Sequence, residues 1–144
     1  MHFTEAELRK AWRENLAASQ MIQPEFPPSN PRLLLLFYAV ECGLKCLLLK
    51  RKGVQTTQEI QDELKNIFHD INKILDDLGG NEFKVRLMSN INLEENALLP
   101  TRRSMASKQL NELWRYGGTL RNPTQQELAA RLETIAQWVQ QELL

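Results

Sequence analysis

Histidine and cysteine are both scarce in this chain, and their scarcity argues against metal chemistry. Only two histidines and two cysteines occur among 144 residues. No cluster of them has the ligand spacing of a zinc site, and neither Gly-Gly pair has the flanking pattern of a phosphate-binding loop. Cys42 and Cys46 are expected to be reduced thiols in the core, where a thiol behaves as a small apolar group. We therefore expect no metal and no cofactor.

The sequence also lacks an excess of charge and a long apolar run. Eighteen basic and eighteen acidic residues cancel, so no overall field draws the chain to nucleic acid or an anionic membrane. The most apolar stretch, Leu33 to Leu48, contains Glu41 and Lys45, whereas a membrane span needs about 20 mostly apolar residues. The start has no apolar segment behind a basic one, which argues against secretion. We expect a cytoplasmic protein without a membrane partner.

What the sequence does contain is one exceptionally apolar stretch, from Arg32 to Lys52. With only two charges between Leu33 and Leu48, most of its circumference must be covered by other elements, so it predicts a central helix. Glu41 precedes Lys45 by four residues, the favourable order for an ion pair along a helix. Asn30 and Pro31 are a typical helix start, with the asparagine as the cap.

The other segments predict amphipathic helices around this centre. Three Thr-x-x-Glu capping boxes mark helix starts, and four prolines make residues 23–31 an extended linker. One stripe of apolar residues predicts a helical element over 57–78, either continuous or broken near 66–69. Residues 81–100 are interpreted as a short helix plus loop, and no strand is predicted. The three Thr-x-x-Glu capping boxes that mark the helix starts begin at Thr4, Thr56 and Thr124.

These elements predict an all-α fold, an up-and-down bundle of about five helices around the central apolar helix. The length fits a single domain. Within it, residues 1–22 are the first helix, residues 23–31 the proline-rich linker, and residues 32–144 the core of the bundle.

Two places stand out as candidate sites. His69 is the one histidine away from the chain end, and on a continuous helix it would point away from the core. It is a candidate general base, or alternatively a solvated residue that starts a helix together with Asp70. Arg115, Tyr116 and Arg121 surround a Gly-Gly loop that suits a phosphate or a base. In the alternative, Tyr116 packs over the bundle end and the arginines are surface charges.

Several of these residues occur in motifs that resemble the HEPN family of small helical-bundle proteins. Ala39 to Leu49, AVECGLKCLLL, is similar to the family's Glu-x-x-Leu-Lys-x-Leu-Leu helix. His69-Asp70-Ile71 is similar to its His-Asp-Leu segment, and Arg115-Tyr116 to its Arg-Tyr pair. The resemblance covers roughly residues 33–144, including the last helix.

The resemblance implies a homodimeric bundle from a bacterial toxin-antitoxin or phage-defence system, with a nucleotidyltransferase-like antitoxin encoded nearby as a possible partner. Family members either cleave RNA or bind nucleotides. The cleaving branch uses an arginine followed, four to six residues later, by a histidine, and here no histidine follows Arg115 or Arg121. The resemblance therefore favours the non-nucleolytic branch. The residues matching that branch are Glu41, Lys45, His69, Asp70, Arg115 and Tyr116.

Three hypotheses follow. In the first, a non-catalytic module binds a nucleotide, RNA or a protein partner, with Lys45 and Arg115 contacting phosphate. In the second, the chain is a metal-independent RNase in which the fold or a dimer brings His69 to Arg115 or Arg121. In the third, it is a structural adaptor, and Glu41, Lys45 and Asp70 form a polar network that fixes the packing of the bundle.

Overall fold

The computed structural model describes residues 1–65, 67, 69–85, 92–93 and 107–144. It confirms the predicted all-α helical bundle. Three short 3-10 helices, Thr57–Ile60, Asn81–Phe83 and Ser107–Gln109, accompany the α-helices. The α-helices in this part of the chain are α1 (Glu5–Met21), α2 (Asn30–Lys52), α3 (Gln61–Leu64), α4 (Ile71–Leu78), α5 (Leu110–Arg115) and α6 (Gln125–Leu143).

Helix α2 is the centre of the bundle, as predicted. Helices α1, α4, α5 and α6 all pack against it, and 12 of its 23 residues are buried. Gly53 ends it in the left-handed conformation, with φ of 68°. Its cap differs from the prediction, because Ser29 accepts the capping bond from Arg32 N. The Asn30 side chain is thereby left to donate to the Gly118 carbonyl.

Gly43 lets two helices approach α2 at the same level. A β-carbon built at this position would lie 2.7 Å from Trp12 Cε3 of α1 and 2.8 Å from Val139 Cγ1 of α6. Both distances are shorter than carbon atoms tolerate, so only glycine permits this packing. The glycine of the AVECGLKCLLL stretch thus seats α1 and α6 on one side of α2 and leaves other sides of the helix for the remaining elements.

The basic last turn of α2 is bound to neighbouring elements. Lys50 Nζ donates to the carbonyl of Glu142, and Lys52 pairs with Glu63 at 2.5 Å. Arg51 donates to the Leu78 carbonyl and to Glu142 Oε2, and its guanidinium lies 5.7 Å from the centroid of Trp138. These three cations therefore join α2 to α3, α4 and α6.

The element predicted over residues 57–78 is broken, at the place given as the alternative to a continuous helix. The 3-10 helix Thr57–Ile60 and α3 come first, and α4 begins at Ile71. Between them His69 has φ of 57°, a left-handed conformation that non-glycine residues seldom adopt. Asp70 caps α4 by accepting from Lys73 N at 3.3 Å. At this break the His69 side chain contacts Glu41 of α2.

The prediction for residues 81–100 is tested only in part. Residues 81–83 form a 3-10 helix, in which the Phe83 ring stacks on Trp138 at 5.1 Å. Contrary to the prediction, a short antiparallel strand pair joins β1 (Asn92–Leu93) to β2 (Leu120–Asn122). The remainder, 86–91 and 94–100, lies outside the described residues, as do residues 101–106.

Candidate functional site: a pocket at the flank of the central helix

A pocket of about 560 Å³ lies beside α2, within the size range of small-molecule sites. The N-terminal segment, the middle of α2 and the segment from Thr57 to His69 form its walls. Phe3, Leu8 and Leu64 supply apolar surface, and Asp62 and Lys65 are charged residues of the third wall. Glu41, Lys45 and His69, three residues singled out in the sequence, meet in this pocket.

Glu41 is the centre of this group, and its side chain is only 6% exposed. Its Oε1 accepts from Lys45 Nζ at 2.9 Å. His69 Nδ1 lies 2.9 Å from Oε2 and 3.0 Å from Oε1. A carboxylate is costly to bury unless it is paired and hydrogen-bonded. Glu41 meets that condition through these two partners. We call the three residues Glu41, Lys45 and His69 the Glu41 cluster.

The Glu41 carboxylate fixes the orientation of the His69 ring. Because an ionised carboxylate only accepts hydrogen bonds, Nδ1 must carry the proton that it donates. In the neutral imidazole the other nitrogen, Nε2, then has a free lone pair. Nε2 has no hydrogen-bond partner within the described residues, and the His69 side chain is 44% exposed. In the neutral ring Nε2 is therefore an oriented hydrogen-bond acceptor, and in the protonated ring it is a second donor.

Lys45 also retains unused donors. Its ammonium has three N–H groups, and within the described part of the chain it bonds only to Glu41. The side chain is 26% exposed and lines the pocket. The cluster therefore offers a ligand up to two N–H donors from Lys45 beside the Nε2 of His69.

Cys42, which also lines the pocket, is not set up as a nucleophile. Burial, and then the neighbouring Glu41 charge, raise the pKa of its thiol. A thiol is nucleophilic as the thiolate, so Cys42 stays protonated at neutral pH. Cys46, one turn further along α2, is fully buried, and burial with a bond to Glu5 raises its pKa to about 12. Both cysteines are free thiols, and Cys46 lies in the core as expected, whereas Cys42 is partly buried at the edge of the core.

The N-terminal wall of the pocket is attached through a short pairing of backbones. Phe3 N donates to Thr57 Oγ1 at 2.9 Å, and Thr57 N donates to the Phe3 carbonyl at 2.8 Å. The predicted capping box of Thr4 and Glu7 forms directly afterwards and starts α1. Bonds from Thr4 N and Oγ1 lower the pKa of the Glu7 carboxyl.

The other predicted site residues lie outside this pocket. Arg115 donates to the Tyr38 hydroxyl at 2.5 Å, and bonds to Tyr38 and Tyr116 raise the pKa of its guanidinium. Tyr116 is 79% exposed, so the alternative in which it packs over the bundle end is wrong. Arg121 lies in β2, and its side chain is outside the described part. Asp70 caps α4 and does not belong to the Glu41 cluster.

Arg115 and His69 nevertheless contact the same side of α2. Tyr38, the partner of Arg115, precedes Glu41, the partner of His69, by three residues. Residues three apart lie on one helix face, about 4.5 Å apart along the axis. The fold therefore brings the two sequence-predicted sites to adjacent turns of α2, with Arg115 held by phenols and His69 by a carboxylate.

Another buried polar residue, Gln125, is not predicted by any pattern in the sequence. Its Oε1 accepts from Trp114 Nε1 at 3.0 Å and from Leu120 N at 3.4 Å. Its Nε2 donates to the Pro28 carbonyl at 3.2 Å and to Asn30 Oδ1 at 3.1 Å. In the sequence Gln125 stands in a polar Gln-Gln-Glu run at a helix start, a pattern that resembles an exposed first turn.

Comparisons with known proteins supply no relative. The chain matches no family model, no curated protein and no solved structure. Within the described ranges, no group of three or more potential ligands is arranged to hold a metal ion. In the same ranges, no helix is long and apolar enough to cross a membrane.

Proposed function

We propose that this chain is a non-catalytic HEPN-like module that binds a nucleotide in the pocket beside α2. The observation that carries the proposal is the Glu41 cluster: a buried carboxylate holds an ammonium and an imidazole at the wall of a pocket, and both retain hydrogen-bonding capacity. A pocket with apolar walls and a few convergent polar groups is the usual form of a small-molecule site.

The charges favour a nucleotide over a long RNA. RNA binding without sequence preference depends on many cations that neutralise successive phosphates. In this pocket Lys45 and Lys65 are offset by Glu41 and Asp62, and the whole chain has no net charge. One phosphate at Lys45 with a base against the apolar wall fits this balance better than a polynucleotide.

The setting of this module is proposed from the sequence resemblance alone. In this proposal the chain is a cytoplasmic homodimer that belongs to a bacterial toxin-antitoxin or phage-defence system. Its partner is a nucleotidyltransferase-like protein encoded nearby. The exposed Tyr116 and the neighbouring Arg115 supply a surface of the composition enriched in protein interfaces. Co-purification with the product of the adjacent gene, compared between Tyr116→Ala and the parent, tests this part.

The binding proposal is tested by calorimetric titration of the full chain with nucleoside mono-, di- and triphosphates. We expect a saturable heat for at least one nucleotide and a loss of affinity of about tenfold or more in Lys45→Met, which removes a charge-assisted contact. Lys10→Met, which changes an exposed lysine of α1 that is outside the pocket, is the matched control. Equal affinity in both variants, or no heat with any nucleotide, would overturn the proposal.

The orientation of His69 supports a second candidate, a metal-independent RNase. The free lone pair of Nε2 suits a general base for a 2'-hydroxyl proton, and Arg115 lies at the adjacent turn of α2 to stabilise a phosphate charge. Labelled RNA incubated with the parent, His69→Ala and His2→Ala distinguishes the two candidates. Cleavage that is lost only in His69→Ala supports the RNase, and intact RNA with folded parent protein excludes it.

A further inference from the structure

We propose that the pocket takes a small amphipathic anion, with a single phosphate or carboxylate head on a flat apolar body, and that its binding draws a proton onto His69. This inference rests on the proposed function, because it concerns the same pocket. It adds the chemical class of the ligand and a proton as a co-ligand.

The head group follows from the unused donors of the Glu41 cluster. Lys45 Nζ gives one hydrogen to Glu41 Oε1 and keeps two. His69 Nε2 has no partner in the described residues, and becomes a donor when the ring is protonated. Lys45 and His69 bind the same carboxylate and both line the pocket, and donors of this kind bind a phosphate or carboxylate through charge-assisted hydrogen bonds.

The single head follows from the count of charges. Glu41 neutralises Lys45, and Asp62 stands in the same pocket as Lys65. With His69 neutral the side-chain charges of these four residues sum to zero, and with His69 protonated they leave one positive charge, to which the exposed amino group of Met1 at the same pocket adds another. A ligand with several separated anionic groups would therefore meet uncompensated carboxylates.

The apolar body follows from the wall opposite the cluster. Phe3, Leu8 and Leu64 line the pocket, and Leu8 is buried against α2 while Phe3 and Leu64 remain partly exposed. Burial of apolar ligand surface against such a wall adds affinity in proportion to the area removed from water. An aromatic ring system presents this area in a flat shape with little conformational entropy to lose.

Proton uptake follows from the groups that face His69. Glu41 on α2 already accepts from its Nδ1. The basic groups of the pocket are Lys45 on α2, Lys65 directly after α3, and His2 with the Met1 amino group on the N-terminal segment, and Asp62 on α3 is acidic. An anionic head beside Nε2 favours the imidazolium, so the complex binds more protons than the free components.

The experiment is calorimetric titration at pH 7.5 with adenosine 5'-monophosphate, adenosine, inorganic phosphate and indole-3-acetate. Each titration is repeated in buffers of different ionisation enthalpy, because proton uptake gives a positive slope of observed heat against that enthalpy. We expect the monophosphate or indole-3-acetate to bind at least about tenfold more tightly than adenosine and than inorganic phosphate. Which of the two binds distinguishes a nucleotide from an aromatic carboxylate. We expect the slope to be positive in the parent and flat in His69→Gln.

The outcomes separate this inference from the proposed function. If adenosine binds as tightly as its monophosphate, if only a triphosphate binds, or if the parent slope is flat, this inference falls and nucleotide binding can still stand. If the slope vanishes in His2→Gln and persists in folded His69→Gln, the assignment to His69 is wrong. If none of these probes and no other nucleotide binds, both proposals fall. The parent slope needs no variant, so misfolding of a mutant does not prevent the test.

Discussion

As whole residues, Gln125 and Glu41 are both 5% exposed to solvent, yet their surroundings differ. The amide of Gln125 uses its oxygen and its nitrogen on protein atoms, and its partners are two backbone groups, the buried Trp114 and the partly buried Asn30. The carboxylate of Glu41 binds two side chains that are themselves partly exposed and face a pocket. A buried polar group that is satisfied on all sides fixes the architecture, whereas one that holds partly unused groups at a pocket organises a binding site.

The largest expected effect comes from the Gln125 network. Gln125→Ala removes the hydrogen bonds to Trp114 Nε1, Leu120 N and the Pro28 carbonyl, and we expect it to reduce the free energy of unfolding by about 2 to 4 kcal/mol. Chemical denaturation followed by circular dichroism measures this loss. Gln137→Ala, an exposed site on the same helix, should change stability by less than about 0.5 kcal/mol. A loss below 1 kcal/mol in Gln125→Ala would break the comparison.

Removal of the Glu41 carboxylate should reduce the free energy of unfolding by less than removal of the Gln125 amide does. In Glu41→Ala the freed Lys45 and His69 are 26% and 44% exposed, so water can replace the carboxylate, and we expect a loss of about 1 to 2 kcal/mol. Glu133→Ala, which breaks the exposed pair with Arg32, is the control and should cost under about 0.5 kcal/mol. If Glu41→Ala proves as costly as Gln125→Ala, the cluster is architectural and the adaptor hypothesis gains.

The backbone at His69 offers a smaller but sharper test. Its positive φ suits glycine better than alanine, so His69→Gly should be more stable than His69→Ala by about 1 kcal/mol. At the exposed helical residue Ala130, alanine is favoured over glycine, so Ala130→Gly should lower the free energy of unfolding by about 1 kcal/mol. Thermal or chemical unfolding of the three variants decides the question. Equal stability of the two His69 variants would mean that the left-handed turn is absent in solution.

The smallest expected effect concerns the two thiols of α2. Cys42 faces the pocket and Cys46 is fully buried beside Glu5, and burial raises the pKa of both. Iodoacetamide at pH 8.5 should therefore modify Cys42 slowly and leave Cys46 unmodified, as measured by peptide mass spectrometry. A ligand in the pocket should slow the modification of Cys42. Faster modification of Cys46 than of Cys42 would mean that the side of α2 that carries Cys42 is not the accessible one.

The sequence predicted what depends on periodicity and local caps. The sequence predicts the central helix and the Thr4 capping box, because apolar spacing and capping residues act over a few positions. It leaves the element over 57–78 either continuous or broken near 66–69, and the structure shows the broken form. Glu41 and Lys45 were predicted as a pair for the same reason. The contact from His69 to Glu41 was not readable, since it joins residues 28 positions apart and depends on a left-handed turn that no glycine signals. The burial of Gln125 is not predicted because two of its partners, Pro28 and Asn30, lie 97 and 95 positions away in the sequence.

The central claim is that Glu41 accepts the Nδ1 proton of His69 and leaves Nε2 open to the pocket. Nitrogen-15 NMR of histidine-labelled protein, above the pH at which the ring titrates, reports which nitrogen carries the proton. We predict the Nδ1–H tautomer for His69 in the parent protein and its loss in Glu41→Ala. A His69 ring that is protonated on Nε2 in the neutral form, or one unaffected by the loss of Glu41, would contradict the account.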